Sequence, residues 1–206
     1  MPEPLLAAAI RWGSAGPLLV TSLAIMGSPG PATISLTAAG SAFGVRRSLA
    51  YLAGIVAGTT IVLVAVATGI TATLLAVPAL RVVLLAISAA YILWLAYHIA
   101  TAPPLAGTEA SDAPSLAGGT LLGVANPKAW VAIAAVFAST RLADTAAMDA
   151  AAKIALLTVM IVLINTVWLI AGASLAPMLR DPRRARVINV ALAAALVGAT
   201  ALALLH

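Results

Sequence analysis

Two short stretches carry the residues suited to chemistry in this chain: Ser28-Pro29-Gly30-Pro31 and Asn126-Pro127-Lys128, each inside an otherwise apolar run. Proline in a helix interior has no N–H and clashes with the carbonyl four residues back. Pro29 therefore frees the carbonyl of Ile25, Pro31 that of Gly27, and Pro127 that of Gly123. Ser and Asn are favoured N-caps, and Pro is favoured at the first helical position. Ser28-Pro29 and Asn126-Pro127 thus each read as the start of a new half-helix. Such an end presents unpaired N–H groups and a partial positive charge, which suits an anion. Lys128 adds a full charge. The chemistry is recognition of a small carboxylate, not bond-making: no nucleophile–base pair sits in the apolar runs, and no catalytic residue is assigned. With no cysteine and two histidines, His98 and His206, neither a disulfide nor a metal or cofactor site is expected.

The elements that must position these residues follow from composition. Hydrophobic residues make up 63% of the chain and charged residues 8%, whereas soluble domains average about 25% charged. Several apolar runs reach the roughly 20 residues that span a bilayer core. The fold class is all-α integral membrane. No basic solvated face of the kind that binds nucleic acid is visible, so the partners are membrane lipid and a small-molecule substrate. Met1-Pro2-Glu3-Pro4 lacks a basic stretch, so no cleaved signal peptide is expected.

Six spans are predicted, over about residues 17–43, 48–75, 82–99, 116–139, 154–176 and 187–205. Arg11 and Trp12 form an interfacial anchor before the first. Gly54 and Gly58 give the second a small-residue face for close helix approach, which would also permit a homodimer. Tyr91 and Trp94 lie near the end of the third, as interfacial anchors or as lining of the substrate path. A polar loop with Arg141, Asp144, Asp149 and Lys153 precedes the fifth span, which buries Asn165.

The chain also repeats. Val77-Pro78-Ala79-Leu80-Arg81 resembles Ala176-Pro177-Met178-Leu179-Arg180 at an offset of 99, and Ser28-Pro29 maps onto Asn126-Pro127 at an offset of 98. The predicted organisation is a first three-helix repeat over 1–101, a polar linker over 102–117 and a second three-helix repeat over 118–206. An odd number of spans inverts the second half. Inverted repeats with broken helices at matching places are the pattern of secondary transporters, whose substrate sites lie near the midplane.

Lys128 lies about twelve residues into its span, roughly 18 Å along the helix. Each of the six acidic residues falls in a loop or at an end, so no acid inside a span offsets it. A ligand carboxylate is the expected partner; the alternative is that Lys128 bonds to the freed carbonyls. The absence of buried acid argues against a site for a metal or organic cation. A substrate ammonium is left with the carbonyls of Ile25, Gly27 or Gly123, or with Asn165, whose alternative role is to join helices.

These residues resemble the lysine exporter and homoserine/threonine exporter family of bacterial amino-acid efflux proteins. The resemblance covers nearly the whole chain. It rests on Pro29-Gly30-Pro31, Gly54 and Gly58, Ala89-Ala90-Tyr91-Ile92-Leu93-Trp94-Leu95, and Asn126-Pro127-Lys128-Ala129-Trp130. It implies an inner-membrane exporter of amino acids or close relatives, driven by an ion gradient. Three features depart from the family. The polar residue that often follows the first proline motif is Ala32, with Thr33 next. Ser139-Thr140 lacks a proline, and Asn165 stands where many relatives have a carboxylate. The predicted substrate-binding set is Ser28, Pro29, Gly30, Pro31, Thr33, Asn126, Pro127, Lys128 and Asn165. Rival readings are a transporter of another small anion and a non-transporting structural protein. Arg46, Arg47, Arg180, Arg183, Arg184 and Arg186 outweigh Arg11, Arg81, Arg141 and Lys153 on the other face. The positive-inside rule then puts both termini outside.

Overall fold

Proline and glycine punctuate the chain. In the computed structural model, which describes residues 11–69, 78–101, 113–175, 177–178 and 181–205, four of the seven helices begin on a proline. They are α1 (Trp12–Met26), α2 (Pro31–Ala67), α3 (Pro78–Ala100), α4 (Leu116–Ala125), α5 (Pro127–Ser139), α6 (Ala146–Ala173) and α7 (Pro182–Leu205). No strand occurs among the described residues. The expected linker lies largely outside them, as do Val77, Ala176, Leu179 and Arg180 of the repeated turns.

The 37 residues of α2 would be about 55 Å long if straight, well beyond a bilayer core of about 30 Å. The helix is not straight. Gly44 takes φ 74°, ψ 170°, a left-handed backbone conformation open to glycine and strained for side-chain-bearing residues. Beyond it the Ser48 hydroxyl donates to Ala39 O at 3.1 Å, whereas nine residues of straight helix would separate them by about 13 Å. So α2 is two arms, residues 31–43 and 45–67, folded back on each other.

Small residues set how closely the arms are packed. A Cβ on Gly40 of the first arm would lie 2.9 Å from Ala173 N of α6. On the second arm a Cβ on Gly58 would lie 3.0 Å from Gly123 Cα of α4. The small face expected at Gly54 and Gly58 is thus used inside the molecule, against α4. Thr37 meets Trp168 where Gly40 meets Ala173, and Gly54 meets Thr120 where Gly58 meets Gly123, so the first arm runs alongside α6, and the second alongside α4, in the same direction.

At one end of the molecule Arg11 N–H donates to Leu142 O at 2.7 Å, and the Arg11 side chain pairs with Asp144. Here Lys153 departs from the polar loop expected for it. It lies on α6 and is buried, with Nζ 2.8 Å from Asp149 Oδ2 and donating to Phe137 O at 2.8 Å. The helix starts at Ala146, before both charges, because Thr145 caps it and the i,i+4 pair satisfies itself. The opposite end holds the Gly44 turn and the C-termini of α3 and α6, with Phe43, Ile99, Thr101 and Pro114 around a cavity of about 540 Å³. Two apolar cores fill the interior. One is built around Leu36, Tyr51, Ile55 and Leu122 toward the Gly44 end, the other around Leu18, Leu63, Ile133 and Leu157 toward Arg11. Both proline breaks fall between them.

Candidate substrate site at two helix breaks

The first break spans Gly27 to Gly30, between α1 and α2. The second half-helix begins one proline later than the sequence suggests: Gly30, not Ser28, is its N-cap, and Pro31, not Pro29, its first residue. Thr33 explains the shift. Its hydroxyl accepts from Gly30 N–H at 2.8 Å and donates to Gly30 O at 3.1 Å, closing the turn on itself. The Ser28 hydroxyl turns back and donates to Ile25 O at 2.8 Å. The other groups of the break are met from afar. The Trp168 indole on α6 donates to Gly27 O at 3.1 Å. Lys128 Nζ donates to Ser28 O at 2.5 Å, Ser28 Oγ at 2.8 Å and Pro29 O at 3.0 Å. An ammonium has three N–H donors, and all three point at the first break.

The second break is a single residue. Asn126 ends α4 and caps α5, and the helices meet at a 59° bend. Its Oδ1 accepts from Lys128 N–H at 3.2 Å, and its backbone carbonyl accepts from Ala129 N–H at 3.0 Å. The Trp130 indole donates to Val124 O at 2.7 Å. Here the expected Asn cap and Pro at the first position stand as the sequence places them.

The breaks adjoin one cavity of about 50 Å³, walled mostly by buried residues. Its polar lining is Gly30, Thr33, Thr59, Asn126, Lys128 and Asn165; Met26, Ala32, Ala129, Ala132, Ile161 and Ile164 complete it. At the mouth of α2, Ile34 N–H is the first to bond back, to Gly30 O at 2.9 Å. The amides of Ala32 and Thr33 precede any helical acceptor, as at every helix start. Asn165 is 6% exposed; its Nδ2 donates to Ile161 O at 2.7 Å, and its Oδ1 has no partner.

Of the sequence-predicted residues, Gly30, Thr33, Asn126, Lys128 and Asn165 come together around this cavity. Ser28 and Pro29 instead border an outward, mostly apolar groove of about 640 Å³ beside α7, which also reaches Lys128. Pro31 and Pro127 act through the backbone, by starting helices. A Cβ on Gly30 would fall 2.6 Å from Lys128 Cδ, so this glycine makes room for the lysine. Thr59 and Trp168 escape the sequence reading. Each has a signal: Thr59 adjoins Gly58 on the small-residue face, and Trp168 lies three residues after Asn165, on the same side of α6.

The LysE-type translocator family model matches residues 23–206, from just before the first break to the end of the chain. The chain belongs to the LysE-type translocator family. That is a family of translocators, not enzymes, and its apolar helices make this a multi-pass membrane protein. Three long apolar stretches, Pro31–Ala67, Ala146–Ala173 and Pro182–Ala201, and the bent pair α4–α5 meet the length of a span. The chain is also 42% identical over 86 residues to cysteine/O-acetylserine efflux proteins of Salmonella typhimurium (strain LT2) and Salmonella typhi. The match covers 41% of this chain and 42% of each relative's length. No solved structure matches this LysE-type translocator.

Proposed function

We propose that this translocator exports amino acids or close relatives across the bacterial inner membrane by alternating access. The relatives named as efflux proteins support the substrate class. The observation that carries the mechanism is how the first break is held. Its carbonyls at Gly27, Ser28 and Pro29 are bonded by Trp168 and Lys128, both from the second half of the chain. Moving one half against the other must therefore remake the bonds at the site itself.

In this reading the chain is two inverted three-helix repeats, residues 1–101 and 118–206, joined by a linker over 102–117. Each arm of α2 is a membrane-crossing segment: the first continues α1 across its break, and the second is a span of its own. Contacts between the ends support six crossings, with both termini on the side of Arg11 and Asp144. The exposed Arg46, Arg47, Arg183, Arg184 and Arg186 belong to the Gly44 end. The positive-inside rule makes that end cytoplasmic.

The substrate binds in the cavity between the breaks, against Gly30, Thr33, Asn126, Lys128 and Asn165; Ser28 and Pro29 hold Lys128 at its edge, and Pro31 and Pro127 start the half-helices that face it. Its carboxylate takes the N-terminal amides of α2 and draws Lys128 Nζ away from Ser28 and Pro29. A charged acceptor bonds an ammonium more strongly than a neutral carbonyl does. Binding thus loosens the tie that holds the halves in register.

Counterflow in proteoliposomes tests this. Vesicles are loaded with unlabelled amino acids, and each labelled one is offered outside. Accumulation of one or a few amino acids, lost in Lys128→Ala, is the expected result. Accumulation that survives the substitution removes Lys128 from the site. No accumulation by folded protein overturns the export reading.

A further inference from the structure

We propose that the cavity takes small amino acids with uncharged side chains, and that Asn165 Oδ1 accepts the hydrogen bond of their α-ammonium group. The proposal rests on the reading of this cavity as the transport site. Three observations carry it.

The first is the unmet oxygen. Asn165 is nine-tenths buried and lines the cavity, and its Oδ1 has no partner. The orientation of the amide is fixed by chemistry. Ile161 O, 2.7 Å away, can only accept, so the nitrogen must face it and the oxygen must face away. Buried polar groups are nearly always hydrogen-bonded. An acceptor left open at a cavity wall is complementary to a donor brought by the ligand, and an α-ammonium is a donor without acceptor capacity.

The second is charge. The lining holds the Lys128 ammonium and no carboxylate. The acid on α6, Asp149, is already paired with Lys153 and bonded to the amides of Leu142 and Ala143. A lysine or arginine side chain would bring a second cation beside Lys128 with no counter-charge, and a buried charge needs a partner. The third is size. About 50 Å³ accommodates about three to five waters, at roughly 10–15 Å³ each in this measure. That suits a ligand the size of serine or cysteine. Ala129 and Ala132 line it with methyl groups.

The test uses the full chain in proteoliposomes and compares counterflow of serine, lysine and 3-hydroxypropionate, which is serine without its amine. Wild type is expected to exchange serine faster than either. In Asn165→Leu the ratio of serine to 3-hydroxypropionate exchange should fall about tenfold or more, the loss of one hydrogen bond to a charged group. Where Asn165→Leu does not assemble, Asn165→Ala is read for the same fall. Lysine exchanged as fast as serine overturns the side-chain class. An unchanged ratio in the Asn165 variant overturns the ammonium assignment. Ala132→Leu separates this from the underlying reading. It fills the cavity, so exchange that persists there shows that transport does not use the cavity. Exchange that stops there while the Asn165 ratio holds sinks the ammonium assignment alone.

Discussion

The two helix breaks look alike in sequence and are held in opposite ways. The break at Asn126 is self-contained: its cap comes from its own side chain, and Val124 O is met by Trp130, six residues on. The break at Gly27–Gly30 is longer. Its local bonds come from Ser28 and Thr33, but three of its carbonyls depend on Trp168 and Lys128, about 100 to 141 residues away. The backbone must be satisfied internally in a bilayer, and a single-residue joint can do this alone. A four-residue gap cannot. The second break is therefore a rigid elbow, and the first is a joint whose integrity depends on where the other half of the molecule sits.

Removing Lys128 gives the largest expected effect. Lys128→Ala strands Ser28 O and Pro29 O, and each stranded carbonyl costs about 1–3 kcal/mol where no water replaces the donor. Lowered thermal stability is expected together with loss of counterflow. A lysine present only to serve a ligand would behave oppositely: its removal would relieve a buried charge and raise the melting temperature. Thermal unfolding in detergent decides between the two. Trp168→Phe comes next. It keeps the ring and deletes one bond to Gly27 O, at about 1 kcal/mol. If both side chains hold one joint, the double substitution Lys128→Ala/Trp168→Phe should be non-additive in stability. Strict additivity would mean that the first break is not one mechanical unit.

Asn126→Ala attacks the other side of the comparison. Losing an N-cap costs about 1 kcal/mol, and the elbow keeps Pro127 at its first position and the Trp130 bond to Val124 O. Stability should drop modestly while counterflow persists at reduced rate. A loss of transport as complete as that in Lys128→Ala would give the two breaks equal standing and erase the distinction drawn between them.

Much of this was legible in the residues because proline and a buried cation leave few options in lipid. Pro127 starts a helix, Asn126 caps it, and the Gly54–Gly58 face packs closely, all of which follow from local chemistry. What escaped was long-range or depended on competition between neighbours. The shift of the cap from Ser28 to Gly30 turns on Thr33 closing its own turn, and two prolines two residues apart do not say which begins the helix. The hairpin at Gly44 is visible as a glycine before Arg46 and Arg47, yet its left-handed backbone is not. Lys153 looked like a loop residue because its partners, Asp149 and Phe137 O, hide its charge within a helix. Trp168 reaches across 141 residues to Gly27, a distance over which periodicity carries no information.

The smallest effect is expected at the exposed start of α7. Asp181 precedes α7 and accepts from the amides of Arg184 at 3.0 Å and Arg183 at 2.9 Å. The Arg184 N–H foremost, helped by that of Arg183 and by the Arg184 charge, holds its carboxyl below the usual carboxylate range, against the opposing effect of desolvation. A depressed folded-state pKa means that the cap's contribution is complete above the unfolded-state value and is lost as pH falls through the folded one. Asp181→Asn keeps a capping oxygen and removes the charge. The variant should melt slightly below wild type at neutral pH, and the gap should close in acid below the ordinary carboxylate range. A gap that stays constant with pH would show that the cap works as a neutral oxygen. The contrast with the two breaks at Gly27–Gly30 and Asn126 would then lie in geometry alone, since neither kind of helix start would depend on an anionic side chain.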